Sequence, residues 1–395
     1  MLAAATLHAR LSAYYAGFYA VLGALLPYFG LWLAARDLSP TQIGLIFSVH
    51  GATRVALPLA WGWVADRSGR RMWLIRLASL MALLGFVILP FAQSYTAILL
   101  AVVVFSVFWN ATMPQFEAVT LGHLRVTGGD YSRVRLWGSV GFVVAVVGLG
   151  YLFDVVSINY LPWIMLAFLA WMVISASLIP DSQMLAAHDE QSSATIWDVL
   201  RQPVVMALLL VVFCSQLSFA PYYSFFSLYL ERQAYPPGQI GLLWAFGVVL
   251  EIWVFVYTGR LIVRYGVHAM MVLALASTAL RWTLLPPFVD NVPVLLLLQA
   301  LHMSSFGIFH ACGIYYIGSL FPAHLQGRGQ ALYVTCGFGA GGSLGAWLSG
   351  WIWENQSPDA MYYMAGGVAA AGAVVAWRFL FNPDVGGQAR VSAAR

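Results

Sequence analysis

Twelve stretches of mainly apolar sequence, each about the 20 residues that a helix needs to cross a bilayer, constrain this chain more than any other feature. They fall near residues 11–34, 42–65, 72–92, 96–122, 134–155, 159–179, 203–230, 239–262, 267–288, 292–320, 329–352 and 360–381. Most are too long for strands and lack the alternation of outer-membrane barrel segments, so helices are expected. A soluble fold carrying 61% hydrophobic and 9% charged residues would leave much of its apolar surface in water. The sequence therefore predicts an all-α integral membrane protein with twelve transmembrane helices, its solvent being lipid.

A net charge of +4 invites a nucleic-acid interpretation, but the arginines sort by loop rather than onto one face. If the helices simply alternate, Arg10, Arg67, Arg70, Arg71, Arg125, Arg133, Arg201, Arg260, Arg264, Arg328, Arg390 and Arg395 share one side, and Arg36 and Arg232 take the other. The positive side is the cytoplasm. Both termini are then cytoplasmic, the location is the plasma (inner) membrane, and no nucleic-acid partner is expected. The chain has no lysine, so every permanent cation is a guanidinium. Cys214, Cys312 and Cys336 lie inside predicted helices without metal-ligand or CxxC spacing, and read as structural thiols. No metal or cofactor is expected. The first apolar run lacks a clear small-residue cleavage site, so it reads as a retained helix.

The longest polar stretch runs from Pro180 to Gln202 and carries Asp181, Asp189, Glu190 and Asp198. It divides the chain into a bundle over 1–180, a cytoplasmic linker over 181–202 and a bundle over 203–395. The halves repeat. Pro40, Gln42, Ile43, Gly44 and Leu45 return 197 residues later as Pro237, Gln239, Ile240, Gly241 and Leu242. At the same offset, Gly62, Arg67 and Gly69 return as Gly259, Arg264 and Gly266. Eight matches in one register point to a duplicated six-helix unit, an architecture of transporters whose site lies between the halves.

The loop after the second helix contains Gly62, Asp66, Arg67, Gly69, Arg70 and Arg71. Its glycines permit a tight turn and close helix approach, and an acid at position 66 can accept hydrogen bonds from a helix N-terminus. The second copy has Val263 in place of the acid. This loop resembles the signature loop of the major facilitator superfamily. The resemblance implies two pseudo-symmetric six-helix bundles and makes the loop a cytoplasmic latch for one conformation.

Ionisable side chains inside membrane helices are costly enough to mark function by default. Here they are Arg54 with His50 one turn earlier, Glu117, Arg135, Glu251, Arg281, His302 and His310. Paired buried charges also serve as structural ties between helices, so single residues carry less weight than the set. Arg54 and Glu251 are again 197 apart, equivalent positions of opposite charge expected to face a central cleft. Protonation would fall on Glu117, Glu251, His302 or His310, and the arginines suit a carboxylate. Most of the aromatic residues, 15% of the chain, are expected to face lipid or the interface.

Glu117 and Arg135 stand 18 residues apart, and Arg135 opens a run that ends at Phe142. With Arg281 followed by Trp282, and His302 between Leu301 and Met303, these segments resemble the lactose permeases and their relatives, including the phenylpropionate permeases. The resemblance implies that Glu117 and Arg135 hold substrate and that an aromatic at Phe142 stacks on it. It also implies that Arg281 and His302 serve binding and proton coupling, with Glu251 near the coupling glutamate. The chain departs from lactose permeases in having Phe142 for the stacking tryptophan and Ser305 for the acid one turn after the histidine. The run Tyr131 to Phe142 and the second histidine, His310, look closer to the phenylpropionate permeases.

Substrate binding is thus assigned to Arg54, Glu117, Arg135, Phe142 and Arg281, and proton coupling to Glu251, His302 and His310. The expected function is proton-coupled uptake of a small organic solute, such as an aromatic carboxylate, by a monomer. A lactose, oligosaccharide or nucleoside symporter, and a drug or metabolite exporter, remain alternatives. An enzyme is not expected. Gly337 to Gly342 fits a dinucleotide fingerprint and Gly341 to Gly345 a nucleophile elbow, but both lie inside one apolar helix without the required strand. Gly337, Gly341 and Gly345, spaced by four, instead suit close helix packing.

Overall fold

The computed structural model describes residues 2–181 and 195–383, apart from the side chains at 2–4, 56, 58, 59 and 66. Asp189 and Glu190 of the expected linker, and Arg390 and Arg395, lie outside the described residues. The described residues are 88% helical and contain no strand.

Six long helices precede the polar stretch: α1 (Leu2–Ala34), α2 (Pro40–Ser68), α3 (Arg71–Phe86), α4 (Tyr95–Thr127), α5 (Tyr131–Phe153) and α6 (Leu161–Ser177). After a short helix at Ile196–Leu200 come α7 (Pro203–Arg232), α8 (Pro237–Tyr265), α9 (Val267–Phe288), α10 (Val292–Leu320), α11 (residues 326–355) and α12 (Pro358–Phe379). Ten are long and apolar enough to span a membrane. The other two, α2 and α11, are helical throughout but diluted by His50, Arg54 and Arg328 and by several glycines. Pro27, Pro114, Pro221, Pro286 and Pro287 sit inside helices, as neighbouring helices in a membrane allow.

Local sequence sets the ends. Ser39 caps α2 and exchanges hydrogen bonds with Gln42 in a capping box, with Pro40 in the first turn. Gly69 ends α2 in the left-handed conformation, and Gly266, its repeat equivalent, also has positive φ before α9. The only described non-glycine residues with positive φ, Asp37 and Ala234, are again 197 apart. The duplication is therefore visible in the backbone as well as in residue identities.

Trp63, Phe91, Leu100, Val144, Trp253 and Trp377 are among many large apolar side chains that are exposed, a surface that only lipid solvates. Helices α1 and α7, repeat equivalents, are by contrast mostly buried.

Contacts group the described residues into two compact units. One holds the chain up to 181 with Ala220–Phe246 and Ser343–Met361; the other holds the remainder. In the first, the repeat glycines make close approaches. A methyl group on Gly44 of α2 would lie 2.6 Å from the Ala346 carbonyl of α11, and one on Gly241 of α8 2.6 Å from the Val146 carbonyl of α5. In the second, Gly337 and Gly341 of α11 pack on Val212 and Phe213 of α7, the close packing their spacing predicts. The core of this unit includes Met271, Leu275, Phe309, Cys312, Tyr316 and Tyr333.

Two departures from regular helix went unforeseen. Helix α10 widens into a π-helical stretch over Met303–Ile308, and α11 does so over Thr335–Gly341. Such widenings recur at functional sites.

Candidate functional site

The ionisable residues form two clusters, one in each unit. In the first, α2 presents His50 and Arg54 one turn apart, and α4 presents Ser106 and Asn110 at the same spacing. Arg54 Nε donates to Asn110 Oδ1 (3.2 Å) and its Nη2 to His50 Nε2 (3.3 Å). A guanidinium can only donate, so His50 Nε2 accepts, and His50 Nδ1–H donates to Ser106 Oγ at 2.8 Å. The Asn110 amide donates to Thr53 Oγ1 (2.7 Å) and to the His50 carbonyl (3.2 Å), which fixes its orientation. Arg54 Nη1 has no acceptor among the described residues. One corner of the guanidinium is therefore uncommitted.

Arg135 donates to the hydroxyl of Tyr19 on α1 and lies 4.2 Å from its ring centroid. Tyr19 is also an electrostatic neighbour of Arg54, as is Tyr223. Glu117 is half-buried, with Arg135 and Tyr131 as its electrostatic neighbours. Phe142 is buried, its carbonyl packed close to Gly23 of α1.

The second cluster is tighter. Arg281 of α9 is 1% exposed, and donates to His302 Nδ1 (2.9 Å) and Gln299 Oε1 (2.6 Å), both on α10. The guanidinium lies 4.3 Å from the Trp282 ring centroid. His302 Nε2 meets Glu251 Oε2 of α8 at 3.2 Å. Donor chemistry again sets the tautomer: Nδ1 accepts from Arg281, so Nε2 carries the proton and donates it to the carboxylate. The three residues form a buried chain from guanidinium through imidazole to carboxylate. Gly307 makes room for α8 there, since a methyl group on it would fall 2.8 Å from Val254 and 3.4 Å from Glu251. His302 and His310 stack on either side of Phe306, with centroid distances of 5.6 and 6.0 Å, and His310 Nδ1 meets Tyr333 Oη at 3.4 Å.

In the loop after α2, Arg67 lies over the Trp63 ring at 5.5 Å, Arg70 is exposed and Arg71 opens α3. Gly62 faces Gln115 of α4 across ordinary contact distance. The Asp66 side chain lies outside the described ones. The three cysteines are free thiols, and no group of metal-ligating side chains occurs among the described residues.

Sequence reasoning by charge missed the neutral partners Asn110, Ser106, Tyr19 and Gln299. Gln299 was within reach of helical spacing, standing three residues before His302. Asn110, 56 residues from Arg54, carried no such local signal.

The family model described as "MFS_1 like family" matches residues 8–364. The chain is 27% identical over 351 residues to the probable 3-phenylpropionic acid transporter of Escherichia coli (strain K12), covering 87% of this chain and 90% of that protein. It is 27% identical over 350 residues to the maltose permease of Geobacillus stearothermophilus, covering 86% of each. Among solved structures, the nucleoside transporter NupG superposes with a TM-score of 0.79 at 17% identity, covering 94% of this chain and 98% of that one. The D-xylose-proton symporter does so with a TM-score of 0.73 at 12% identity, covering 97% and 99%. These likenesses establish the fold.

Proposed function

The chain belongs to the MFS_1 like family of membrane transporters, and from that premise we propose that it takes up a small aromatic carboxylate together with protons. The six-helix halves 1–180 and 203–395 are the moving bodies, joined by the 181–202 linker, in a monomer of the inner membrane with cytoplasmic termini. Latching falls to Gly62, Asp66, Arg67, Gly69, Arg70 and Arg71.

The observation that carries the proton assignment is His302 held between Arg281 and Glu251. A second proton on Nδ1 would point an N–H at an N–H of Arg281, so His302 accepts one only if Arg281 moves. Glu251 has no such obstacle. It takes the proton, and His302 reports the event to Arg281 because the negative charge that its own N–H faces is gone. His310 is a reserve site behind Phe306.

Substrate binding rests on the uncommitted corner of Arg54, a geometry suited to a carboxylate oxygen, with Arg135 and Tyr19 beside it. Glu117, Phe142 and Arg281 complete the assignment. The relative named for 3-phenylpropionic acid favours an aromatic acid. The maltose permease, equally identical, keeps a sugar as the second choice.

The test is uptake into proteoliposomes. With an inward proton gradient, wild type should accumulate labelled 3-phenylpropionate, while Glu251→Gln should lose accumulation and retain exchange of labelled for unlabelled substrate. Gradient-driven accumulation by Glu251→Gln would overturn the proton assignment. Accumulation of maltose or nucleosides but not the acid would overturn the substrate, and outward-directed flux alone the direction.

A further inference from the structure

Helices α5 and α6 both pack along α1, yet make few contacts with each other, so a crevice runs between them. Its floor is formed by Ala13, Ala16 and Ala20 of α1 with Gly141, Ala145 and Gly148 of α5, none large enough to fill it. Trp137 and Val144 on α5, and Phe168 and Trp171 on α6, form its walls. The groove measures about 1140 Å³ and is mainly apolar. An apolar groove this long on a membrane-spanning face needs an apolar occupant to cover it. Trp137, Val144 and Trp171 are exposed, so the crevice opens where lipid must stand. From Arg133 to Gly148 it follows α5 for about 22 Å at helical rise, against the ~15 Å of one hydrocarbon leaflet.

The end of the crevice at Arg133 is polar. Arg133 and Asp130 line it with His8, and among the described residues Asp130 Oδ2 meets only the Arg133 Nε, at 3.7 Å. The Arg133 side chain is 89% exposed and that of Asp130 56%. Neither Nη group of Arg133 has an acceptor among the described residues, which leaves a fork suited to a phosphate. The carboxylate beside it suits a primary ammonium.

We infer that this crevice binds one phospholipid of the surrounding leaflet, an aminophospholipid with its acyl chain against the α1 alanines. Its phosphate sits on Arg133 and its ammonium on Asp130. The assignment is independent of the transported solute, since none of these residues belongs to either charge cluster.

Native mass spectrometry of the purified full-length protein, equilibrated with equal amounts of phosphatidylethanolamine, phosphatidylglycerol and phosphatidylcholine, tests it. Wild type should retain phosphatidylethanolamine above the other two. Gly148→Phe should lose the lipid, and the new side chain has room, because a methyl group at Gly148 meets nothing within 4 Å. Arg133→Gln should weaken retention of all three about tenfold. Asp130→Asn, which preserves the α5 cap because asparagine caps as well as aspartate, should abolish the preference for ethanolamine while keeping the lipid. Equal retention of the three lipids by wild type would overturn the inference, as would unchanged retention in Arg133→Gln or an unchanged ethanolamine preference in Asp130→Asn. Should Gly148→Phe not fold, those exposed-residue variants decide alone.

Discussion

Asp154 and Glu354 occupy equivalent places in the two repeats, and each grips the first turn of a helix from the other half. Asp154, at the end of α5, accepts the Gly238 N–H of α8 at 2.9 Å. Glu354, in the last turn of α11, accepts the Thr41 N–H of α2 at 2.9 Å and the Ser39 hydroxyl at 2.8 Å. Beneath each carboxylate lies one of the glycine approaches, Gly241 on Val146 and Gly44 on Ala346. A carboxylate at a helix N-terminus is favoured both by hydrogen bonding and by the helix dipole. The proposed movement of the two halves requires such clasps to release. Removing either cap should therefore weaken closure by about 1 kcal/mol, or roughly fivefold in its equilibrium. The check is Val146→Cys in a chain whose three native cysteines are replaced. Labelling by a membrane-impermeant maleimide should be several times faster with Asp154→Ala or Glu354→Ala, and faster still with both. Equal rates would show that the glycine contacts alone hold this end.

Much of this was legible in the sequence, for identifiable reasons. The spans stood out because lipid solvation demands long apolar runs, and the repeat because Gly44 and Gly241 perform the same task at equivalent positions of the two repeats. The charge clusters were legible as residues, since Arg54, Glu251 and Arg281 are conspicuous in apolar surroundings. Their partners were not. Asn110 and Gln299 are neutral amides that apolar helices carry without penalty once paired, so nothing in composition flags them. The widened turn beginning at Met303 was hidden too, because a periodicity of 3.6 is assumed when positions are assigned to faces. That turn lies between His302 and His310, whose rings stack on Phe306.

Ala234 gives a prediction about stability alone. It holds a left-handed conformation (φ 61°) in the exposed turn between α7 and α8, where its repeat equivalent is Asp37 (φ 60°). A left-handed alanine costs roughly 1–2 kcal/mol, whereas asparagine tolerates the conformation through local hydrogen bonding. Ala234→Asn should raise stability by up to about 1 kcal/mol and leave transport unchanged, seen as a higher midpoint of thermal unfolding in detergent. Asp37→Ala should lower it by a similar amount. A fall in midpoint for Ala234→Asn would mean that the turn is held by contacts the side chain disturbs.

The Arg281, His302 and Glu251 chain predicts a specific failure of additivity. Arg281 is 1% exposed, and the side chains of His302 and Glu251 are 4% and 16% exposed. Taking the guanidinium away leaves the carboxylate with only a neutral imidazole N–H, and breaking a buried charge arrangement at one end costs about 3–5 kcal/mol. Arg281→Leu should be destabilising on that scale, and Glu251→Leu should be harmful for the converse reason. Removing both leaves His302 neutral in an apolar setting with no stranded charge. The double variant should therefore be more stable than the sum of the single losses implies, by at least about 1 kcal/mol. Reversible unfolding in mixed micelles supplies all four corners of the cycle. Strict additivity would mean that His302 does not couple the two charges, and the route by which protonation of Glu251 reaches Arg281 would fail with it.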